Sequence, residues 1–234
     1  MTILNFDARD LLGSLSWYMS ARKTALRAAL SFRTPLSVID QVDIRVHHSG
    51  YFTNLLAAID LLIENSTLNP NDFKLQLESR FVFDEFQDGK ANHSYIRELR
   101  NAIVHRGLNI TSAAHIQEDF PLFLSELVVK NRDKTKLHYA FDTYLLGIIK
   151  KCESVVCHVM FDYLNAANIF ESTVDIETTT EECKRFIEQP TAIPDHIKAL
   201  FSAIESKSEW FEAAHTSQIM DLREAVSPFD LPEA

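Results

Sequence analysis

The segment YIRELRNAIVHRG, residues 95–107, has the clearest pattern in this chain of 234 residues. Its apolar residues recur at spacings of three and four, as in an amphipathic helix with one face against a core. Gly107 follows the last periodic residue and is typical of a helix C-terminus. Arg100 stands on the apolar side, about 40° from both Ile96 and Val104 in helical projection. The segment therefore predicts a helix with a cation where a core residue would be expected.

The position of Arg100 has two explanations. A guanidinium cannot be left unpaired away from water, because removing a charge from water is costly without partners. One explanation is an ion pair with an acid of a neighbouring helix, either Asp60 or Glu64. The other is a cleft or interface that an anion visits, with Asn101 and His105 opening on the same side. Together with Arg100 they span an arc of about 140°, enough to border one pocket near the helix end.

The rest of the chain is predicted to be mainly helical. Helical spacing indicates further helices over about residues 7–32, 34–65, 72–86, 141–167 and 195–225. Asn92 or Ser94 is the expected N-cap of the motif helix. Residues 122–141 fit either two short strands around the polar turn KNRDKT or helix ends around a turn. Residues 170–182, FESTVDIETTTEE, are predicted to be a polar linker.

These elements predict an all-α fold, an up-and-down helical bundle of about five to seven helices with room for a small β-hairpin insertion. Residues 1–170 would form the bundle that carries the motif helix. Residues 171–234 would be a linker and C-terminal helices that pack on the bundle or form a dimer interface. Only five glycines occur, which disfavours all-β folds and glycine-loop nucleotide-binding folds.

Charge and cysteine content restrict the function further. The formal net charge of −10 excludes a uniformly basic nucleic-acid surface, so any RNA contact needs a local basic spot. Three cysteines and no apparent secretion signal indicate free thiols in a reducing, cytoplasmic compartment. The longest apolar-rich runs are too short and too charged to span a membrane. No cofactor motif and no metal-ligand spacing occurs.

The residue types in the motif helix suit the cleavage of an RNA phosphodiester by its own 2′-hydroxyl. That reaction needs one proton removed, one proton delivered to the leaving oxygen, and charge neutralised on the phosphate. Histidine exchanges protons near neutral pH, and arginine binds two phosphate oxygens at once. Asparagine can orient the imidazole or the phosphate. This set of residues requires no metal ion.

The segment RNAIVH, residues 100–105, resembles the R-x4-6-H motif of the HEPN superfamily, in which a polar residue often follows the arginine. The resemblance implies a helical bundle and a metal-independent endoribonuclease, of the kinds found among toxins, anti-phage effectors and RNA-processing enzymes. It also implies a homodimer in which two motifs share one composite site. Arg100 and His105 would then be catalytic and Asn101 supporting. Some family toxins are controlled through a tyrosine two residues after the histidine, where this chain has Gly107.

Further residues extend the predicted site. Arg97 and Arg106 would draw the RNA backbone towards an otherwise acidic protein. His47 and His48 point about 100° apart on a helix, so at most one can face the cleft. His47 is the candidate, and the other is expected on the surface. A cognate antitoxin or regulator is a further expected partner. The competing interpretation is a non-catalytic HEPN-like module that binds RNA or protein.

Overall fold

The computed structural model describes residue 4 and residues 6–65, 70–188, 194–203 and 208–231. These residues form eight helices and two small antiparallel hairpins, which confirms the mostly helical class but exceeds the predicted five to seven helices. In chain order the elements are α1 (Phe6–Ala29), α2 (Val38–Glu64), α3 (Pro70–Arg80), α4 (Gly89–Arg106), β1 (Ala114–Gln117), β2 (Phe120–Phe123), β3 (Val128–Lys130), β4 (Leu137–Tyr139), α5 (Leu145–Ala166), α6 (Ile176–Glu188), α7 (Asp195–Ala203) and α8 (Ser208–Ala225).

Helix α2 is the element against which much of the bundle is built. It packs along α1 and also contacts α3 and α4, while α8 covers another side of α1. Its N-terminus is stabilised by a capping box, in which Ser37 and Asp40 each accept the other's backbone N–H. Because α2 and α3 both contact α4, the motif helix is held by the bundle along its apolar side.

A buried ion pair connects three helices and the C-terminal segment. Arg22 of α1 donates to both carboxylate oxygens of Glu153 of α5 at 2.9 Å. The Tyr51 hydroxyl of α2 donates to the same carboxylate at 3.0 Å, and the backbone N–H of Phe229 donates to it at 2.7 Å. Arg22 also donates to the carbonyl oxygen of Ser227 at 3.2 Å. The segment after α8 is therefore attached to the centre of the bundle through groups that are costly to leave unpaired.

Residues 122–141 contain strands, not helix ends. β1 pairs with β2 and β3 pairs with β4, both antiparallel. The β3–β4 hairpin packs on α4, and the Tyr95 hydroxyl of α4 donates to the carbonyl oxygen of Glu126, just before β3, at 2.7 Å. This hairpin therefore lies beside the motif helix, which the sequence pattern does not indicate.

The region after residue 170 also differs from its prediction. Helix α6 occupies much of the predicted linker, because the Asp175 carboxylate accepts the backbone N–H groups of Glu177 and Thr178 and so caps a helix. The predicted C-terminal helical region contains α7 and α8, and residues 204–207 between them lie outside the described residues. None of the helices described is both long enough and apolar enough to cross a membrane.

Candidate functional site

Helix α4 starts earlier than predicted and ends where predicted. Its N-cap is Asp88, so Asn92 and Ser94 lie inside the helix and are not caps. Asn92 is buried and its amide donates to two carbonyl oxygens of the preceding segment, which explains why a polar residue occurs there. Gly107 ends the helix in the left-handed region at φ 68°, and its N–H donates to the carbonyl oxygen of Ala102.

Two arginines of α4 share one carboxylate of α2. The Nη2 atom of Arg100 lies 3.9 Å from Oδ2 of Asp60, and Nη2 of Arg97 lies 3.6 Å from Oδ1. Burial raises the pKa of Asp60, although both guanidiniums oppose the rise. Glu64, the other acid considered for Arg100, is exposed and forms no ion pair with it among the described residues. Asp60 is therefore shared between two cations, with Glu64 as a second acid within electrostatic range.

Arg100 is only partly satisfied in this arrangement. Its side chain is 23% exposed. Its Nε atom is shielded from solvent and has no hydrogen-bond partner in the part of the chain that is described. A buried N–H without an acceptor is costly, and its occurrence calls for a specific reason. Arg100 is therefore neither enclosed in an ion pair of the core nor freely exposed as a surface cation.

A cavity of about 520 Å³ lies at the C-terminal end of α4 and is called here the His105 pocket. Its lining residues are Glu98, Asn101, His105, Arg106 and Arg132. His105 is exposed, and its ring nitrogens have no hydrogen-bond partner among the described residues. The pocket thus combines an accessible imidazole with two guanidinium groups and an amide.

Glu98 organises the wall of the His105 pocket. Its carboxylate accepts the amide of Asn101 at 3.3 Å. Arg106 donates to the backbone carbonyl of Glu98 at 3.0 Å and to its carboxylate at 3.4 Å. Asn101 is therefore held by Glu98 and, among the described residues, forms no hydrogen bond with the His105 ring. The two pocket-lining side chains nearest Glu98 are fixed, while the imidazole stays available to a ligand.

The structure brings Asn101, His105 and Arg106 into one pocket but does not add Arg100 to its lining. Arg100 lies about 140° from His105 around the helix and faces α2. The expectation that Arg100, Asn101 and His105 border one pocket is therefore not met within a single chain. Arg97 accompanies Arg100 on the α2 side and is also absent from the lining of the His105 pocket.

The adjacent histidines of α2 lie away from this pocket. His47 is half-buried, with its ring 6.3 Å from that of Phe32, and is not among the pocket-lining residues. The expectation of a surface position for the other histidine is wrong. His48 is 3% exposed and its Nδ1 is 2.9 Å from the carbonyl oxygen of Ile44. Burial lowers the pKa of His48 to about 4, so the ring is neutral near pH 7.

Arg132 is a pocket residue that the sequence analysis missed. It lies in the turn between β3 and β4, far from α4 in sequence, and reaches the pocket because this hairpin packs on α4. Glu98 was also missed, because helical projection of the motif helix places it towards solvent. The only available signal for Arg132 was the basic run KNRDKTK, residues 130–136. Nothing local in that run indicates which helix the hairpin contacts.

An exposed apolar face runs along α2 and onto α4. It is called here the apolar face and consists of Val38, Ile39, Val42, Val46 and Val104. Val104, which helical periodicity places near the core, is 42% exposed. A groove of about 410 Å³ between the two helices is lined by Val42, Val46 and Val104, together with Arg45, Ser49 and Ile103. Contiguous exposed apolar surface of this kind is typical of an interaction site.

Comparisons with protein-family models, with curated proteins and with solved structures found no match to this chain. Within the described residues, no group of three or more histidine, cysteine or acidic side chains has the arrangement of a metal site.

Proposed function

We propose that this protein is a metal-independent endoribonuclease of HEPN type, acting in the cytoplasm as a toxin or an anti-phage defence component. The observation that carries the proposal is the His105 pocket, where an accessible imidazole lies with Asn101, Arg106 and Arg132 at the end of the RNAIVH helix. Histidine and arginine are the two side chains that cleavage by a 2′-hydroxyl needs most, one for protons and one for phosphate charge.

In the proposed reaction, His105 takes the proton from the 2′-hydroxyl while water delivers one to the departing 5′-oxygen, or His105 delivers that proton while water takes the first. The 2′-oxygen attacks the adjacent phosphorus, and the bond from phosphorus to the 5′-oxygen breaks. The products are a 2′,3′-cyclic phosphate and a 5′-hydroxyl. Arg132, which forms no ion pair among the described residues, would bind the phosphate oxygens, because a guanidinium group binds two such oxygens at once. Arg106, which already donates to Glu98, would add positive charge at the wall of the pocket. Asn101 supports this geometry through its contact with Glu98.

A second copy of the chain completes the proposed site. Arg100 and His105 point to different sides of α4, so one chain alone does not present both to a single phosphate. The apolar face includes Val104, about 40° from Arg100 around the helix. Association of two copies through this face would remove its apolar surface from water and bring the two motif helices together. A cognate antitoxin or regulator is the alternative occupant.

The competing proposal is a non-catalytic module that binds RNA or protein. The observation that favours it is the ion pair of Arg100 with Asp60, since an arginine with a carboxylate partner can be purely structural. The two proposals differ in turnover, because only the nuclease converts RNA into products.

The test is cleavage of structured and unstructured RNA in the presence of EDTA by wild type, His105→Ala and His158→Ala. His158 is an exposed histidine of α5 and serves as the matched control. We expect cyclic-phosphate products from wild type and from the control, and a loss of at least about 100-fold in rate for His105→Ala. Full cleavage by His105→Ala would refute the assignment. RNA retention by wild type without any cleavage would favour the binding module.

The dimer is tested separately by light scattering after size exclusion. Val46→Asp places a charge on the apolar face, and Met220→Asp places one on an equally exposed apolar residue of α8. We expect a dimer for wild type and for Met220→Asp, and a monomer with reduced cleavage for Val46→Asp. A wild-type monomer that cleaves RNA would refute the shared site.

A further inference from the structure

The turn of the β3–β4 hairpin is an exposed basic segment of an acidic chain. Residues 130–136, KNRDKTK, carry four cations and one acid, against a net charge of −10 for the whole protein. Lys130, Arg132, Lys134 and Lys136 are all exposed. None of the four forms an ion pair within the described part of the chain. Their charge is therefore available to an external anion.

The one acid of the turn is used to build the turn. Asp133 accepts hydrogen bonds from the backbone N–H of Thr135 at 3.1 Å and from its hydroxyl at 2.6 Å. Asn131 accepts the backbone N–H of Lys136 at 3.0 Å, and Lys134 adopts the left-handed region at φ 61°. These hydrogen bonds define the backbone from which the lysines project. A ligand would lose little entropy in ordering it.

The outer face of the hairpin adds an aromatic ring to these charges. Val128 pairs with Tyr139 and Lys130 pairs with Leu137, and directly paired residues share one face of a two-stranded ribbon. Tyr139 is 59% exposed and Leu137 is 48% exposed. The intervening residue Val129 is 3% exposed and faces inward. The outward face therefore combines an exposed ring with a lysine, beside the basic turn.

We propose that the β3–β4 hairpin is a substrate arm that binds single-stranded RNA and leads it into the His105 pocket. The inference rests on the proposed nuclease function and names its substrate class. Lysines of the turn bind the phosphate backbone, and Tyr139 stacks on an unpaired base, which is available only in a single strand. Arg132 belongs both to the turn and to the pocket lining, so it marks where the strand passes from the arm to the pocket.

The arm is tested with the variant K130Q/K134Q/K136Q, which leaves the pocket residue Arg132 unchanged. The matched control K90Q/K184Q/R185Q removes three exposed cations from α4's first turn and from α6, outside the hairpin. The probe is a fluorescein-labelled, unstructured RNA of about 20 nucleotides, long enough to cover the arm and the pocket. Fluorescence anisotropy in the His105→Ala background measures binding without cleavage, and steady-state cleavage in the active protein measures KM and kcat.

We expect the arm variant to weaken binding by about tenfold or more at low salt and to reduce the salt slope by about 2, because three phosphate contacts are lost. Its KM should rise while kcat changes little, whereas the control stays within about twofold of wild type. Tyr139→Ala should weaken binding by about tenfold, since a base loses its stacking partner. Trp210→Ala, a change at another exposed aromatic residue, should not weaken binding. A duplex of the same sequence should bind more weakly than the single strand.

The outcomes separate the arm from the nuclease. If the arm variant binds RNA with wild-type affinity and has a wild-type KM, the proposal of an RNA-binding arm is refuted, while the proposed nuclease function is unaffected. RNA that binds through the arm but is never cut would support the arm and refute the nuclease. A wild-type protein that neither binds nor cuts RNA would overturn both. Duplex binding as tight as single-strand binding would refute the substrate class.

Discussion

Removing the charge of Glu153 should destabilise the protein more than any change to its exposed ion pairs. Glu153 is 2% exposed and accepts two N–H bonds from Arg22, which has no exposed surface. Glu153→Gln preserves the shape but leaves the guanidinium charge unpaired away from water. Breaking a buried pair in this way costs about 3–5 kcal/mol, which is a large part of the roughly 5–15 kcal/mol by which domains are stable.

Glu153→Gln should also weaken the attachment of the C-terminal segment. The backbone N–H of Phe229 donates to Glu153 at 2.7 Å. Glutamine has one acceptor oxygen in place of two, so it cannot satisfy this N–H together with the Arg22 and Tyr51 donors as the carboxylate does. We therefore expect hydrogen exchange at Phe229 to increase more than the global change in stability requires. Replacing both charges, as in R22M/E153L, should cost less than the sum of the single changes, because neither charge remains buried.

The assay is urea unfolding followed by circular dichroism near pH 7. The matched control is Asp162→Asn, which removes the exposed partner of Arg80; their side chains are 55% and 46% exposed. An exposed pair of this kind contributes less than about 1 kcal/mol. If Glu153→Gln costs no more than the control, the argument from buried charge is refuted. The argument is also refuted if the destabilisation of R22M/E153L equals the sum of the destabilisations caused by the two single changes.

Three further predictions concern α2 and α4. Burial lowers the pKa of His48 to about 4, below its unfolded value, so the stability linked to its neutral ring is complete above about pH 6.5. Up to about 3 kcal/mol of it is lost as pH falls towards 4. In urea titrations the stability of His48→Met should therefore fall by that much less than that of wild type, the rest of the fall coming from groups such as His93, whose pKa burial also lowers to about 4. Gly107→Ala should cost about 1 kcal/mol of stability in thermal unfolding, because a residue with a Cβ is strained at φ 68° even though that Cβ would meet no neighbouring atom. Gly107→Asn should cost less, and equal losses for the two variants would contradict this reasoning. Asp60→Asn should tighten single-stranded RNA binding about threefold by freeing Arg97 and Arg100, and unchanged anisotropy titrations would argue against an RNA contact by this pair.

The motif helix was predictable because its determinants are local. Apolar spacing and the terminal glycine both lie within the segment 95–107, and helix α4 indeed ends at Gly107. Its start was missed because Asn92 and Ser94 are cap-forming residue types used inside the helix, whereas Asp88 provides the cap. A residue type indicates a cap only when its backbone is free to leave the helix.

The partners of the motif residues were less predictable. Asp60 was one of two acids considered for Arg100, since both lie one turn apart on α2, and only packing places Asp60 at 3.9 Å. Val104 was expected near the core from its periodicity, but α2 leaves it on the exposed apolar face. Periodicity tells which residues share a face of a helix, but not how much of that face a neighbour covers.

The sequence by itself determined that this is a mostly helical protein with an arginine, an asparagine and a histidine on one amphipathic helix that ends at Gly107. Those properties follow from spacing, composition and cap chemistry within short segments. Only the tertiary structure decided that Arg132 joins His105 in one pocket, that Arg100 faces Asp60 and that Arg22 meets Glu153 in the core. Such contacts join residues far apart in the chain, and they depend on how helices and hairpins pack, which the local pattern does not encode.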